Sequence, residues 1–227
     1  IIDDVSLDNS FDISKKFVQI DRRIKLVKNI RNMGILKSFI FNAKKQKGEW
    51  IIFCDQDDIW FKNKLSTLDR FIKDKSNYNL FLHNGIYIVD NNEEKMKGAF
   101  GKFIKNNQKV FSDNPNLKFL SLLISNKLIG CFSCIRKDFL KKYVIIIPFG
   151  QIFHDHWIAL ICSFYSRIYF IDKKLIKYKR NKKNNTLRNK LFKKIMVRFL
   201  LIISLLINHV NIISNKVFNY LGWILLH

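Results

Sequence analysis

Acidic residues and cysteines are both scarce in this 227-residue chain. Asp and Glu number 18 against 41 Lys and Arg, which gives a formal net charge of +23. The 4 cysteines are too few, and too often inside apolar stretches, for a disulfide framework, and they indicate reduced thiols in a cytosolic core. No internal repeat is evident. Helix-turn-helix, zinc-finger and RNA-recognition patterns are also missing, so only the charge supports a nucleic-acid-binding protein.

The positive charge favours an anionic partner, but it does not select one. Nucleic acid, acidic lipid and phosphate-bearing substrates all satisfy the electrostatics. The chain is also rich in Lys, Ile and Asn, a composition that base bias in the coding DNA produces without selection for charge. The charge is therefore a weak discriminator between functions.

Three of the few carboxylates stand together in the tetrad Asp55-Gln56-Asp57-Asp58. The tetrad follows the apolar run Trp50-Ile51-Ile52-Phe53-Cys54, which predicts a central strand. Ligands of open α/β sheets gather beyond the carboxyl ends of such strands, and carboxylates there suit Mg²⁺ or Mn²⁺ bound to a diphosphate. A solvated acidic turn or helix cap explains the same residues equally well.

The pair Cys131 and Cys134 forms a C-x-x-C motif. A second pair or His partners at zinc spacing are missing, and the flanking Phe132 and Ile135 are apolar. The motif therefore predicts a packed strand rather than a metal site.

Helical and extended patterns alternate along residues 1–185. Apolar residues recur with helical spacing over 36–47, 65–72 and 154–165, and extended segments are predicted at 50–54, 80–89, 168–171 and 175–178. This alternation predicts one α/β domain with a mostly parallel central sheet flanked by helices. The first residues resemble the end of a strand, and they show no basic-then-apolar leader, so we expect an earlier strand and helix to be missing.

The tail, residues 186–227, differs in character. Phe199 to Asn215 carries no formal charge, yet polar residues from Asn208 onward interrupt it before the roughly 20 apolar residues that span a bilayer. Basic residues precede it, at Lys190, Lys193, Lys194 and Arg198. The pattern predicts a helical anchor on an anionic membrane surface. The alternative is a pair of helices packed on the domain or on another subunit.

Several separated motifs agree with one known family. They are Asp3-Asp4 with Ser6 and Asp8-Asn9-Ser10; Asn32-Met33-Gly34; Gly48-Glu49-Trp50 leading to the tetrad and Ile59-Trp60; Gly130 ahead of Arg136; and His154-Asp155-His156-Trp157. In this order and spacing they resemble family 2 glycosyltransferases of the GT-A fold, in the bacterial rhamnosyl- or galactosyltransferase-like branch. The resemblance covers residues 1 to about 185, and the tetrad with Ile59-Trp60 is its most specific part.

The resemblance implies a metal-dependent, inverting transferase that uses Mg²⁺ or Mn²⁺. Its donor would be a UDP- or dTDP-linked sugar, and its acceptor a saccharide, expected to be lipid-linked, in bacterial surface polysaccharide synthesis. The protein would work in the cytoplasm at the inner face of the plasma membrane, with no nucleic acid as partner. The alternative is a truncated, inactive glycosyltransferase domain that acts only in binding or assembly.

The resemblance also implies roles for individual residues. Asp3 or Asp4 would bind the nucleobase or ribose, and Asn32 with Gly34 would border the nucleotide. Asp55 and Asp57 would form the D-x-D pair, with Asp57 as the direct metal ligand and Asp55 facing the ribose or a metal-bound water.

Asp155 would be the catalytic base that deprotonates the acceptor hydroxyl. By itself, its motif also fits a capped helix N-terminus. The remaining positions are candidates for the acceptor or sugar, at Trp60, Gly130, His154 and Trp157, and for the diphosphate, at Lys179 and Arg180. Either Trp fits the core equally well. Two departures from the family pattern are the missing first strand and Asn181, where relatives often carry His.

Overall fold

The structure is a computed structural model that describes residues 1–89, 92–94, 119, 122–123, 126, 128–149, 152–179 and 191–226. It contains two compact units, Ile1–Lys47 and Gly48–His227. The predicted boundary between residues 185 and 186 lies outside the described residues, so it stays a prediction.

The first unit is a small α/β unit. Its elements are β1 (Ile2–Asp3), α1 (Ser10–Ile20), β2 (Val27–Lys28) and α2 (Gly34–Lys45). Strands β1 and β2 pair in parallel. The apolar side of α2 buries Ile40 and Ala43, as its helical spacing predicts. Helix α1 continues to Ile20, and the following strand β2 is limited to Val27–Lys28.

The second unit is built on a six-stranded sheet. Its elements are β3 (Trp50–Ile52), β4 (Ile59–Trp60), α3 (Lys64–Asp74), β5 (Leu80–Val89), β6 (Asn92–Glu94), β7 (Ser133–Arg136), α4 (Lys137–Tyr143), α5 (His154–Tyr165), β8 (Ile168–Lys179) and α6 (Leu191–Leu226). A 3-10 turn, Gly130–Phe132, directly precedes β7. The strand order is β3-β7-β5-β8-β4, with β6 paired to β5.

The sheet is mixed, which corrects the expectation of a mostly parallel one. Within this sheet β5 and β8 pair in parallel, whereas the pairings of β3, β4 and β6, and that of β5 with β7, are antiparallel. Parallel neighbours need a crossover of about a dozen residues or more. The link at 90–91 between the paired strands β5 and β6 is shorter than that, and β7 enters from a turn and runs back between β3 and β5.

The two strands expected at 168–171 and 175–178 are one strand, β8, because an irregularity in register opposite Asn84 keeps the chain in the sheet. Its successive residues face opposite sides. Leu175 packs with Leu68 and Phe81 on one side, while Ile176 packs with Cys131 and Phe132 on the other.

Residues Leu191–Leu226 of the tail form a single continuous helix, α6, and not a pair of helices. Leu201, Ser204, Asn208 and Ile212 are buried on one side of it. The stretch Val197–Asn215 is long and apolar enough to cross a membrane by length and composition, and 22% of it is buried. Over residues 197–215 the helix therefore packs on the rest of the second unit along one face and leaves most of its apolar side chains uncovered.

Candidate active site

The acidic tetrad forms a closed turn between β3 and β4. The backbone N–H of Asp55 donates to Oδ2 of Asp58 at 3.0 Å, and the N–H of Asp58 donates back to the carbonyl O of Asp55 at 3.3 Å. This pair of hydrogen bonds holds the first and last carboxylates of the tetrad on the same side of the turn. The antiparallel pairing of β4 with β8 then fixes the turn to the sheet.

Asp55, Asp58 and Cys131 form a group with the ligand types for a cation, since their ligand atoms lie within 4.8 Å of one another. Burial, together with the neighbouring Asp58 and Asp57, raises the pKa of Asp55 to about 6. Burial also raises the pKa of Asp58, whose Oδ1 atom is buried without a hydrogen-bond partner among the described residues.

Two crowded carboxylates with an unpaired buried oxygen fit Mg²⁺ or Mn²⁺, because a hard cation prefers oxygen ligands and neutralises their repulsion. Burial raises the pKa of the Cys131 thiol far above its ordinary value, so the thiol stays protonated and the two carboxylates are the better-suited ligand types for such a cation. Asp58 belongs to this group with Asp55, whereas Asp57, the direct ligand that the resemblance implies, contributes no atom to it.

Asp155 lies in the first turn of α5, where three donors reach its carboxylate. Oδ1 accepts from Asn126 Nδ2 at 3.0 Å and from the His156 backbone N–H at 2.6 Å, and Oδ2 accepts from the Gly130 N–H at 3.1 Å. Burial nevertheless raises the pKa of Asp155 to about 6, and the charge of Asp55 adds to that rise. The structure thus brings Asp155 into the electrostatic neighbourhood of the acidic group, with a pKa suited to a base near neutral pH.

His154 and Gly130 lie against each other beneath Asp155. A Cβ atom placed on Gly130 would be 2.3 Å from Nε2 of His154, so a larger residue requires the ring or the turn to shift. The His154 ring packs edge-on against Phe53, at 5.0 Å between centroids, and burial lowers its pKa to about 4. The neutral ring therefore packs against the turn, and His154 is not part of the metal-ligand group found among the described residues.

The next two residues of the helix serve the core. His156 is buried and donates from Nε2 to the Leu122 carbonyl O at 2.6 Å. Trp157 is fully buried, and its Nε1 donates to the Ile146 carbonyl O at 3.1 Å. No sugar can reach its ring faces, which favours the core alternative for Trp157 and removes it from the acceptor candidates.

Trp60 is partly exposed at the end of β4, and the ammonium of Lys64 lies over its ring at 4.3 Å from the centroid. At the end of β8, burial raises the pKa of Tyr178 to about 12, and the negative charges of the acidic tetrad contribute. Lys179 is the exposed last residue of β8, and its role at the diphosphate stays a prediction. Arg180 lies outside the described residues.

In the first unit, Asp4 caps the start of α2. Its Oδ1 accepts from Asn29 Nδ2 at 2.6 Å and from the Met33 N–H at 2.8 Å, and its Oδ2 accepts from the Gly34 N–H at 2.8 Å. Burial opposes ionisation, but these hydrogen bonds outweigh it and lower the pKa of Asp4. Asn32 Oδ1 also accepts from the Gly34 N–H at 3.1 Å, and Gly34 has a positive φ of 74°.

Both oxygens of the Asp4 carboxylate therefore already accept hydrogen bonds, from backbone N–H groups and from Asn29. Asp3 is 5% exposed and accepts weakly from the Ser6 N–H at 3.3 Å. Sequence reasoning missed Asn29, which also bonds Ser38, and it missed Lys64 and Cys131 at the acidic group. Asn29 and Lys64 stand in no local motif, and the C-x-x-C motif of Cys131 indicated only a packed strand, so only the fold could reveal these contacts.

The mixed sheet, the flanking helices and the acidic turn between β3 and β4 define a GT-A fold. Solved structures share it: S. aureus TarS 1–349 in complex with UDP-GlcNAc matches with a TM-score of 0.65 and 18% identity, over 89% of this chain and 56% of that one. The mannosyltransferase PcManGT from Pyrobaculum calidifontis, in complex with GDP-Man and Mn²⁺, matches with a TM-score of 0.57 and 12% identity, over 81% of this chain and 48% of that one.

The family model "Glycosyl transferase family 2" matches residues 1–144, and the chain belongs to this family. An uncharacterized glycosyltransferase of Haemophilus influenzae is 24% identical over 69% of this chain and 56% of its own length. TuaG of Bacillus subtilis, a glycosyltransferase assigned to teichuronic acid biosynthesis, is 33% identical over 34% of this chain and 30% of its own length. The chain therefore spans 30% to 56% of the length of these curated relatives.

Proposed function

We propose that the full-length protein is an inverting glycosyltransferase. It would move a sugar from a UDP- or dTDP-linked donor to a saccharide acceptor, expected to be lipid-linked, in bacterial surface polysaccharide synthesis. The observation that carries this proposal is the Asp155 carboxylate, held by three donors and close enough to Asp55 for their charges to interact. The family match and the fold support the same conclusion.

In this mechanism Asp155 binds the acceptor hydroxyl and removes its proton as the oxygen attacks the anomeric carbon. A carboxylate with a pKa near 6 is a better base than an ordinary Asp and is still ionised at pH 7. The Gly130 N–H and Asn126 hold the carboxylate in place. Attack from the face opposite the diphosphate inverts the anomeric centre.

Asp55 and Asp58 would hold the divalent cation, which supplies Lewis-acid stabilisation of charge on the leaving diphosphate. Lys179 at the end of β8 would add a positive charge near the diphosphate. Asp3, Asp4, Asn32 and Gly34 of the first unit remain the candidates for the nucleotide. The engaged carboxylate of Asp4 fits a role in shaping the backbone there better than direct ligation.

The proposal is tested by nucleotide binding to the full-length protein. We expect calorimetry to show UDP or dTDP binding that Mn²⁺ strengthens and EDTA reverses, and transfer of sugar from the matching donor. A protein that binds nucleotide with the metal but transfers nothing with any donor would instead fit the inactive-domain alternative. Tight nucleotide binding that ignores both Mn²⁺ and EDTA would contradict the metal role.

The two candidate metal ligands can be compared directly. We predict that Asp58→Ala weakens Mn²⁺-dependent UDP binding by about tenfold or more, since even outer partners of a metal site are worth about 10- to 100-fold. Asp57→Ala is the matched control and should have a smaller effect, because Asp57 lies outside the ligand group. Calorimetry with and without Mn²⁺ measures both. A larger loss of binding in the Asp57 variant would instead assign the metal to the D-x-D pair Asp55 and Asp57.

We also propose that α6 lies on an anionic membrane surface. Exposed apolar residues recur along one stripe, at Phe199, Ile202, Leu206, Val210 and Ile213. Basic residues of the sequence precede the stripe, so the segment suits anionic lipid. Bacterial plasma membrane at the cytoplasmic side would provide such a surface.

The docked face of α6 favours an orientation in the membrane plane over a span. Ser204 Oγ accepts from the Phe149 N–H at 2.9 Å, and Asn208 Oδ1 accepts from the Ile145 N–H at 2.9 Å while its Nδ2 donates to the Tyr143 carbonyl O at 2.8 Å. Crossing the bilayer would break these bonds and move Asn208 into hydrocarbon, where an unpaired amide is costly.

We predict that polar substitution of the stripe, Leu206→Asn with Val210→Asn, lowers flotation with anionic vesicles. Burial of each large apolar side chain is worth about 1.5–3 kcal/mol, so the double change should weaken binding severalfold at least. High salt should weaken but not abolish binding of the unchanged protein. Leu65→Asn, at a 55% exposed position on α3, is the matched control. Equal flotation of both variants would make the stripe a protein contact surface.

A further inference from the structure

Lys64, the first residue of α3, is a fully buried lysine. Its side chain has 0% exposure, although its neighbour Lys62 is exposed. Lysines are almost never fully buried unless their charge is compensated, because desolvating an ammonium is costly. A buried lysine beside a catalytic centre therefore needs a specific explanation.

The Lys64 ammonium is compensated by partners around the active site. Its Nζ donates to the Cys131 carbonyl O at 3.0 Å and lies 4.3 Å from the centroid of the Trp60 ring. Burial lowers the pKa of Lys64 to about 8, while the nearby Cys131, Cys54 and Asp58 oppose that fall. Its full burial excludes direct contact with a donor or acceptor, so any role in transfer acts through another residue.

The residue that Lys64 holds is central to the site. Cys131 is the middle residue of the Gly130–Phe132 turn, and its thiol is part of the group with Asp55 and Asp58. The preceding residue, Gly130, donates its N–H to Oδ2 of Asp155 at 3.1 Å. One short turn thus touches both the acidic group and the candidate base.

Lys64 also connects two parts of the fold. It follows the tetrad and β4 in the sequence, and its contact with Cys131 joins this segment to a turn 67 residues further along. The turn is also tied to β7, where Ser133 Oγ donates to the Gly130 carbonyl O at 2.6 Å. The Lys64 ammonium ties the same turn to the start of α3 through the Cys131 carbonyl O.

We propose that Lys64 is a positioning residue for the glycosyl transfer: through the Cys131 carbonyl it holds the Gly130–Phe132 turn, and with it the Asp155 carboxylate, in the catalytic geometry. The effect on transfer rests on the proposed function, whereas the holding of the turn by Lys64 does not depend on it. Loss of the ammonium releases the turn, and the Gly130 N–H no longer holds Asp155 in one orientation. Chemistry then slows, while the donor still binds.

The test is Lys64→Met in the full-length protein, with Lys62→Met as the matched control at an exposed neighbouring lysine. Met keeps the apolar stem and removes the ammonium, and it costs some stability because the buried Cys131 carbonyl O loses its donor. We expect faster hydrogen exchange of the amides of Gly130–Phe132 in the Lys64 variant and unchanged exchange in the control. This readout requires no substrate.

Kinetics provide the second readout. We expect kcat to fall by about 10- to 100-fold in the Lys64→Met variant, as for other residues that orient a catalytic group, with the donor KM changed by less than about threefold. Lys64→Gln retains a shorter donor, and we expect an intermediate loss and intermediate exchange. This variant also carries the test if the Met variant does not fold.

The outcomes are distinct. Exchange and kcat of the Lys64 variants within about twofold of the Lys62 control would overturn the proposal. Equal losses in the Lys62 and Lys64 variants would overturn it as well, because a general charge effect would explain both. If the unchanged protein transfers no sugar, the proposed function fails, while the exchange experiment still decides whether Lys64 holds the turn.

Discussion

Asp155→Asn is expected to abolish most sugar transfer while donor binding is retained. A general base typically contributes about 10²- to 10⁴-fold, so kcat in the full-length protein should fall by that range. The substitution keeps the shape of the side chain but removes the carboxylate that takes the proton from the acceptor hydroxyl. Initial rates with a matched donor measure kcat, and calorimetry with UDP and Mn²⁺ checks that donor binding is unchanged.

Two controls separate chemistry from structure in this experiment. Asp138→Asn changes an exposed Asp in the first turn of α4 and should leave transfer unchanged. Asn126→Ala removes one donor to Asp155 but keeps the carboxylate, so its loss should be much smaller. Near-normal transfer by the Asp155 variant would assign the base elsewhere, with Asp58 or His154 as the next candidates.

The pH profile provides an independent check of the same base. The folded-state pKa of Asp155 is raised to about 6, so the active carboxylate form is present above that pH and is lost as the pH falls through it. At pH 5 about a tenth of the transfer rate should remain, whereas an ordinary Asp, with a pKa of about 3.9, would still be ionised. The profile should be measured at saturating Mn²⁺, because cation binding keeps Asp55 ionised.

The second large effect is expected for Gly130→Ala. The new Cβ would stand 2.3 Å from Nε2 and 3.0 Å from Cε1 of His154, so either the ring or the turn must move. Overpacking of this kind typically costs about 1–3 kcal/mol of unfolding free energy. Because the Gly130 N–H also holds Asp155, we expect kcat to fall by about tenfold or more beyond the loss of stability.

Gly48→Ala is the matched control for this prediction. Its added Cβ would meet only the Trp50 carbonyl O at 3.4 Å, an ordinary contact. Denaturant unfolding and transfer kinetics of the two variants measure stability and kcat separately. Full activity and stability of the Gly130 variant would show that the His154 ring has room to move and that the turn tolerates displacement.

Local patterns were sufficient where a segment folds by its own spacing. The periodicity of apolar residues predicted α5 as His154–Tyr165, and it placed α2, α3 and β5 within a few residues. The tetrad at the end of a buried strand identified the acidic turn. The motif resemblance gave the family, which the match over residues 1–144 confirms, and the GT-A fold, which the solved structures confirm.

Strand direction was not available from the sequence. An apolar run has the same period whichever way it pairs, so the alternation of elements suggested parallel neighbours. The reversal of β7 between β3 and β5 depends on contacts between residues about 80 positions apart, as in the pairing of Ile51 with Ile135. Such pairings are set by the packing of the whole sheet and leave no local signal.

The sequence by itself determined the family, the approximate elements and the position of the acidic turn and of Asp155, because each depends on residues close together in the chain. Only the tertiary structure decided that Asp58 accompanies Asp55, that Trp157 belongs to the core and that Lys64 lies buried against the Cys131 carbonyl. Each of these outcomes depends on which residues, distant in the sequence, are buried next to one another in the folded protein. Burial there also raises the pKa of Asp155.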